Sequence, residues 1–143
     1  MRLVFHAVPD IAGTALLVDD EELIRNSTAD MFAEPGYAVA EANSGEEVLR
    51  LSEGGRAFDV LVTDYLMPGL SGTELARAVQ ERYPGGPVLV LPGYADVEGF
   101  APALPRLVKA FKPIDLAAKL REMRSAANSR QLVDCIPLVP PWL

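Results

Sequence analysis

Short apolar runs alternate with segments of helical spacing along most of the chain. The runs cover residues 14–18, 37–40, 58–63, 87–91 and 107–111. Between them apolar residues recur at helical intervals, as at Leu23, Ile24 and Met31. Strands that alternate with helices favour a parallel sheet with helices on both of its faces. In such a sheet, ligands bind beyond the carboxyl ends of the strands, so the residues that follow each run are candidate site residues.

Local signals predict where the helices begin and end. Ser-x-x-Glu capping boxes at Ser44 and Ser71 open two of them. The others are predicted over residues 21–33 and 115–127, while any helix between residues 95 and 105 is short. The 143 residues fit one domain. We therefore expect an N-terminal extension (1–13), a core domain (14–127) and an apolar, proline-rich C-terminal tail (128–143).

Composition excludes several classes of function. The net charge is −7 and the basic residues are scattered, which argues against nucleic-acid binding. No apolar run approaches the ~18 residues of a membrane span, and the N-terminus is a poor signal peptide, so we expect a cytoplasmic protein. His6 and Cys135 are the only residues of their kinds. A zinc site with several histidines or cysteines and a Ser-His-Asp mechanism are therefore improbable.

Three carboxylates follow two of the runs: Asp19 and Asp20 after the first, Asp64 after the third. Carboxylates brought to one edge of a sheet repel one another unless a cation offsets their charge. Mg²⁺ suits such a cluster, and a carboxylate beside it can attack phosphorus as a nucleophile. Lys112 follows the fifth run and is the predicted lysine for neutralising phosphoryl oxygens. Each residue alone fits an ordinary cap or turn, so the interpretation depends on their shared position at strand ends.

At these residues the chain resembles the receiver domains of bacterial response regulators. The resemblance runs from about residue 14 to residue 127. Its motifs are Leu17-Val18-Asp19-Asp20-Glu21, Asn43-Ser44-Gly45-Glu46-Glu47-Val48-Leu49, Asp59 to Gly72 (Asp-Val-Leu-Val-Thr-Asp-Tyr-Leu-Met-Pro-Gly-Leu-Ser-Gly), Gly93-Tyr94-Ala95-Asp96 and Phe111-Lys112-Pro113.

The resemblance implies a flavodoxin-like (βα)5 fold with strand order 2-1-3-4-5. It implies a phosphoacceptor, rather than an enzyme, that takes a phosphoryl group onto Asp64 from a phosphohistidine of a sensor kinase or phosphotransfer protein. It implies Mg²⁺ bound by Asp20, Asp64 and the backbone carbonyl of Leu66, with Asp19 acting largely through water. It also implies that Lys112 contacts the phosphoryl group and precedes a cis peptide bond, and that a downstream protein partner reads the signal.

The sequence departs from the family pattern at three positions. Pro92 stands where a Ser or Thr hydroxyl usually bonds the phosphoryl group, leaving the Gly93 N–H as the expected donor there. Lys109 stands at the place of an aromatic residue three positions before the predicted lysine. Leu66 lies beside the expected path of the attacking water and cannot hydrogen-bond it. We therefore predict an altered conformational response to phosphorylation and slow self-dephosphorylation.

Several alternatives stay open at this point. A pseudo-receiver would bind partners without phosphorylation, and Pro92 is its best support. An aspartyl-phosphate phosphohydrolase would need a second acid two residues after Asp64, where Leu66 stands. A flavin carrier would need a hydroxyl- and glycine-rich loop after the first strand, where acidic residues stand instead. The tail at 128–143 either packs back on the domain, is disordered, or docks on a partner or a second copy to form a homodimer.

Overall fold

The fold is a five-stranded sheet with helices on both faces. The computed structural model describes residues 2–4, 13–33, 35–53, 58–82, 86–93 and 104–135. The strands are β1 (Arg2–Val4), β2 (Gly13–Val18), β3 (Tyr37–Ala42), β4 (Val60–Asp64) and β5 (Val88–Leu91). The helices are α1 (Glu22–Asp30), α2 (Gly45–Glu53), α3 (Gly72–Arg82) and α4 (Pro113–Cys135).

The sheet order is β1-β3-β2-β4-β5. Four strands are parallel and correspond to the first four predicted strands, in the order 2-1-3-4. The flavodoxin-like class predicted from the sequence is therefore confirmed. In place of the predicted fifth strand at residues 107–111, an extended segment makes one parallel bridge, between Val90 and Arg106. Its backbone continues alongside β5, because the Leu107 N–H donates to the Val90 carbonyl at 3.0 Å.

The edge of the sheet beside β3 carries a strand that the sequence did not predict. β1 pairs antiparallel with β3, with Leu3 opposite Ala40. Three apolar or basic residues are too short a run to indicate a strand. Part of the predicted N-terminal extension thus joins the sheet and covers an edge that would otherwise present unpaired backbone groups.

The sheet has a hydrophobic core on each face because side chains alternate along its strands. On one face, Phe32 beyond α1 and Leu116 and Leu120 of α4 pack on Leu17 and Val62. On the other face, α2 and α3 supply Val48, Leu75 and Ala76. Both faces are covered, which explains why the predicted strands read as nearly continuous apolar runs.

The helix starts agree with the local signals. The Ser71 hydroxyl accepts the Glu74 N–H, and the Glu74 carboxylate accepts the Ser71 N–H, both at 3.2 Å, so this capping box is confirmed. The Ser44 hydroxyl accepts the Glu47 N–H at the start of α2. Most of the segment 95–105 lies outside the described residues.

The last helix, α4, is longer than predicted and ends at Cys135 rather than residue 127. Residues 128–135 contain neither proline nor glycine, and the first helix breaker is Pro137. The division of the chain at residues 13 and 127 stays a prediction. Among the described helices, none combines the length and apolar character that crossing a membrane requires.

Candidate functional site

Sheet register places the first and third predicted strand ends side by side. Val18 of β2 lies opposite Thr63 of β4, and the Asp19 N–H still bonds the Ala42 carbonyl of β3 at 3.2 Å. The residues that follow, Asp19 and Asp64, therefore leave the sheet at the same level. This is the geometric reason that two residues 45 positions apart share one pocket (64 − 19 = 45).

The three predicted acids form a cluster. Asp19, Asp20 and Asp64 each offer a carboxylate oxygen, and these oxygens lie within 4.8 Å of one another. Asp19 is buried, Asp64 is partly buried and Asp20 is exposed, so the cluster opens to solvent on one side. Hard oxygen donors at this spacing, with an open side, fit a divalent cation that keeps some of its waters.

Asp19 is the most buried acid of the cluster. Burial raises the pKa of its carboxyl group, and the negative charges of Asp64 and Asp20 act in the same direction. The Glu21 N–H, which donates to Oδ1 of Asp19 at 2.9 Å, and the Lys109 ammonium oppose that rise in pKa. A cation in the pocket would relieve both the repulsion and the cost of burying this charge.

Asp64 has its carboxylate fixed through one oxygen. Its Oδ1 accepts the Tyr65 N–H at 2.9 Å and a hydrogen bond from the Lys109 ammonium at 2.7 Å. Within the described residues no hydrogen bond reaches Oδ2. The backbone of Asp64 is tightly enclosed as well, since a Cβ on Gly72 would clash with the Asp64 carbonyl oxygen.

The lysine of the pocket is Lys109 and not the predicted Lys112. The Lys109 ammonium bridges Oδ1 of Asp64 at 2.7 Å and Oδ2 of Asp19 at 3.9 Å. Lys112 is exposed, and its N–H donates to the Asp115 carboxylate at the start of α4. The cis peptide bond expected between Lys112 and Pro113 is likewise found three residues earlier, between Lys109 and Ala110.

The physical reason for this correction is the start of the helix. Pro113 takes the first helical position, which suits its fixed φ and missing N–H. Lys112 is therefore the residue that caps the helix, with its carbonyl accepting the Asp115 and Leu116 N–H groups. The backbone bonds of this segment alongside β5 come from Leu107 and Lys109 instead, which leaves Lys109 next to the end of β5. The spacing of Asp115 from Lys112 was the available signal for this arrangement.

Pro92 has a backbone role that links β5 to the pocket lysine. It is buried just after β5, and its carbonyl accepts the Lys109 N–H at 2.9 Å. Gly93 follows it and is partly buried. Leu66 lies two residues after Asp64, in the loop before α3, with 59% of its surface exposed.

Sequence reasoning also missed Arg25, which lies beneath the acid cluster. Its guanidinium Nη1 donates to the Asp19 carbonyl at 2.7 Å, and its Nε pairs with Glu41 at 3.2 Å. Arg25 is the only basic residue in α1 and falls four positions after Glu21. A basic residue one turn into a helix whose start is acidic was the signal that could have indicated this contact.

The fold and the pocket together define a class: α/β domains with a cluster of aspartates and a lysine at the carboxyl edge of the sheet. The model of the response regulator receiver domain family matches residues 15–121. The chain therefore belongs to the response regulator receiver domain family. Residues 15–121 are therefore a phosphoacceptor receiver domain of two-component signal transduction.

Individual relatives agree with this assignment. The chain is 35% identical over 123 residues to the sensor kinase CckA of Brucella abortus, covering 80% of this chain and 13% of that kinase. A receiver domain structure from Clostridium thermocellum is 28% identical with a TM-score of 0.72, covering 84% of this chain and 98% of that one. The chemotaxis protein CheY4 of Vibrio cholerae is 32% identical with a TM-score of 0.67, covering 80% and 99%.

Proposed function

We propose that Asp64 is the residue that accepts the phosphoryl group, with a phosphohistidine of a sensor kinase or phosphotransfer protein as donor. The observation that carries this assignment is the hydrogen bonding of its carboxylate. Lys109 and the Tyr65 N–H both bond Oδ1, which leaves Oδ2 to attack phosphorus. Asp19 is more buried and bonded to Glu21, and Asp20 is exposed, so neither is held in the same way.

The step is a transfer between two proteins. Oδ2 of Asp64 forms a bond to phosphorus while the bond from phosphorus to the histidine nitrogen breaks. The imidazole leaves with the electron pair of that bond. The product is an aspartyl phosphate on this chain, so the domain itself is the substrate of the reaction and not an enzyme with a separate substrate.

Mg²⁺ is the cofactor we assign to the acid cluster. Asp20, Asp64 and the Leu66 carbonyl would hold it, with Asp19 acting through water. When bound, the ion neutralises charge on the oxygens of the transferring group. The three carboxylates and the Lys109 ammonium leave two net negative charges in the pocket, which one divalent cation balances.

Lys109 is assigned the second electrostatic role. Its ammonium already lies 2.7 Å from the Asp64 carboxylate, so a short movement brings it to a phosphoryl oxygen attached there. Its backbone is held by the Pro92 carbonyl, and this contact fixes the point from which the side chain reaches the pocket. The Gly93 N–H is the assigned donor where the usual hydroxyl is missing.

A partner protein would meet exposed apolar side chains around the pocket. Three exposed apolar side chains come a few residues after Asp20, Asp64 and Lys109 in the sequence. They are Leu23, Leu66 and Ile114, which are 83%, 59% and 68% exposed. Apolar groups in such positions favour docking of a protein surface next to Asp64. The donor protein and a downstream protein are the proposed partners, and the cytoplasm is the proposed location. The tail stays a candidate for homodimer contacts.

The proposal is tested by intact mass spectrometry after incubation with a small-molecule phosphodonor and Mg²⁺. Wild type should gain the mass of one phosphoryl group, and Asp64→Asn should gain none. The same reaction with EDTA in place of Mg²⁺ should leave wild type unmodified. No gain in wild type, or an equal gain in Asp64→Asn, would overturn the assignment.

A further inference from the structure

A buried ion pair lies directly behind the acid cluster, and the phosphoryl transfer assigned above does not use it. Glu41 of β3 and Arg25 of α1 pair at 3.2 Å, with side chains that are 2% and 12% exposed. A carboxylate is rarely this buried in a strand unless a partner offsets its charge. The pair joins β3, which lies between β1 and β2, to α1, and Arg25 also reaches the backbone of Asp19 in the acid cluster.

Arg25 makes a second contact that an ion pair alone does not require. Its Nη1 donates to the backbone carbonyl of Asp19 at 2.7 Å. On the other side of the same residue, the Asp19 N–H donates to the Ala42 carbonyl at 3.2 Å. The backbone of Asp19 is therefore held through both of its polar groups, one by β3 and one by Arg25.

We infer that Arg25 is a positioning residue for the cation site and that Glu41 sets the orientation of its guanidinium. The inference rests on the proposed function of the acid cluster as a Mg²⁺ site. Arg25 does not reach the carboxylates of the acid cluster. It fixes the backbone carbonyl of Asp19, and with it the direction of the Asp19 side chain just after β2 ends. The planar guanidinium serves both acceptors at once, with Nε on Glu41 and Nη1 on Asp19.

Positioning of this kind has a measurable effect on metal binding. Groups that orient metal ligands typically contribute about 10-fold to 100-fold in metal affinity. Asp19 also has its Oδ1 bonded to the Glu21 N–H, so movement of its backbone would loosen that hydrogen bond as well. Loss of the Arg25 contact should therefore weaken Mg²⁺ binding and expose the Glu21 N–H, even before any phosphoryl group is present.

Stability and positioning can be separated with paired substitutions. Arg25→Met alone leaves Glu41 buried without a partner and should destabilise the fold strongly. The double variant Arg25→Met/Glu41→Met replaces the ion pair with apolar side chains, which is often neutral for stability. It still lacks the donor to the Asp19 carbonyl. Arg82→Met is the control, because Arg82 also donates to a backbone carbonyl, that of Leu49, in another part of the fold.

The first measurement is the Kd for Mg²⁺ alone. It is obtained by titration without a phosphodonor, with amide NMR shifts as the readout. We expect about a tenfold higher Kd in Arg25→Met/Glu41→Met, and a Kd close to that of wild type in Arg82→Met. If the double variant does not fold, Arg25→Lys takes its place, since one ammonium nitrogen cannot occupy both the Nε and Nη1 positions. A wild-type Kd in the variant that folds would overturn the inference.

The second measurement uses metal-free protein. The Glu21 amide should exchange with deuterium faster in the same variant, while the β5 amides exchange at the wild-type rate. Unchanged exchange at Glu21 would contradict the inference whatever the Mg²⁺ result. A wild-type protein that binds no Mg²⁺ would instead count against the proposed function, and the exchange measurement would still decide the role of Arg25.

Discussion

The ammonium of Lys109 lies 2.7 Å from Oδ1 of Asp64, and this contact joins the end of β4 to the segment that runs beside β5. The same ammonium also pairs with Oδ2 of Asp19 at 3.9 Å, so Lys109 contacts two of the three acids. The lysine in the pocket therefore lies three positions before the predicted one, Lys112, which is exposed and caps α4. The roles of the two lysines can be separated because only one of them reaches a carboxylate of the cluster.

Replacement of Lys109 should reduce phosphorylation much more than replacement of Lys112. A hydrogen bond to a charged group contributes about 1.5–3 kcal/mol, so Lys109→Met should slow modification by roughly tenfold or more. Lys112→Met removes an exposed charge that does not touch the cluster and should react like wild type. The measurement is the initial rate of phosphoryl gain by intact mass with Mg²⁺. Slow phosphorylation of Lys112→Met together with a wild-type rate in Lys109→Met would instead support Lys112 as the lysine that contacts the phosphoryl group.

Gly72 is expected to tolerate no side chain because of its contact with Asp64. A methyl group there would clash with the Asp64 carbonyl oxygen, and a backbone atom cannot move aside at low cost. Alanine favours a helix by about 1 kcal/mol over glycine, but overpacking of this kind costs about 1–3 kcal/mol. Gly72→Ala should therefore lower the free energy of unfolding in urea and reduce phosphorylation. Ser71→Ala, which removes only the cap of α3, should lower stability without displacing Asp64.

Metal-free protein should become more stable when Asp19 is neutralised. The folded-state pKa of Asp19 is raised above its ordinary value of 3.8, chiefly by burial, so the charged form costs stability. That cost is absent below the unfolded pKa, develops as the pH rises towards the folded pKa, and is complete above it. Asp19→Asn keeps an oxygen for the Glu21 N–H and should raise Tm at pH 7. The gain should vanish in acid, and a gain that is the same at pH 3 and pH 7 would refute this account.

Pro92 should blunt the response to phosphorylation because it offers no hydroxyl at the end of β5. Pro92→Thr adds that hydroxyl and keeps the carbonyl that accepts the Lys109 N–H. We expect larger phosphorylation-dependent amide NMR shifts in Pro92→Thr than in wild type. Pro92→Ala adds only the N–H and is the matched control, expected to resemble wild type. Equal shifts in wild type and Pro92→Thr would show that the missing hydroxyl does not matter.

Leu66 should prolong the lifetime of the phosphoryl group. Its side chain is 59% exposed two residues after Asp64 and cannot orient an attacking water by hydrogen bonding. Leu66→Asn supplies both a donor and an acceptor at the same place. Once the phosphodonor is removed, phosphate loss should be faster in Leu66→Asn than in wild type. A faster loss in wild type would contradict this prediction.

The sheet and the acids could be predicted because their signals are local and repeated. Apolar runs that end at Asp19 and Asp64 indicate both buried strands and strand ends, and parallel register then brings the two acids together. The capping box at Ser71 likewise depends on residues only three positions apart. For the strands, their ends and this capping box, the local sequence pattern and the tertiary structure therefore agree.

The other features depend on contacts that no short pattern encodes. Lys109 was missed because the Lys112-Pro113 pair resembles the family motif. In the structure Pro113 instead starts α4. Arg25 was missed because its partners, Glu41 and the Asp19 carbonyl, come together only through the pairing of β2 with β3. The pairing of β1 with β3 likewise depends on tertiary structure, since three residues carry too little periodicity to predict a strand.

The central claim, that Asp64 is the phosphoacceptor, is tested most directly by locating the modified side chain. Borohydride reduction of the phosphorylated protein converts an aspartyl phosphate into a stable alcohol, which peptide mass spectrometry can assign to one residue. We predict reduction at Asp64 alone, dependent on both the phosphodonor and Mg²⁺. Reduction at Asp19, Asp20 or another carboxylate, with Asp64 unmodified, would contradict the account.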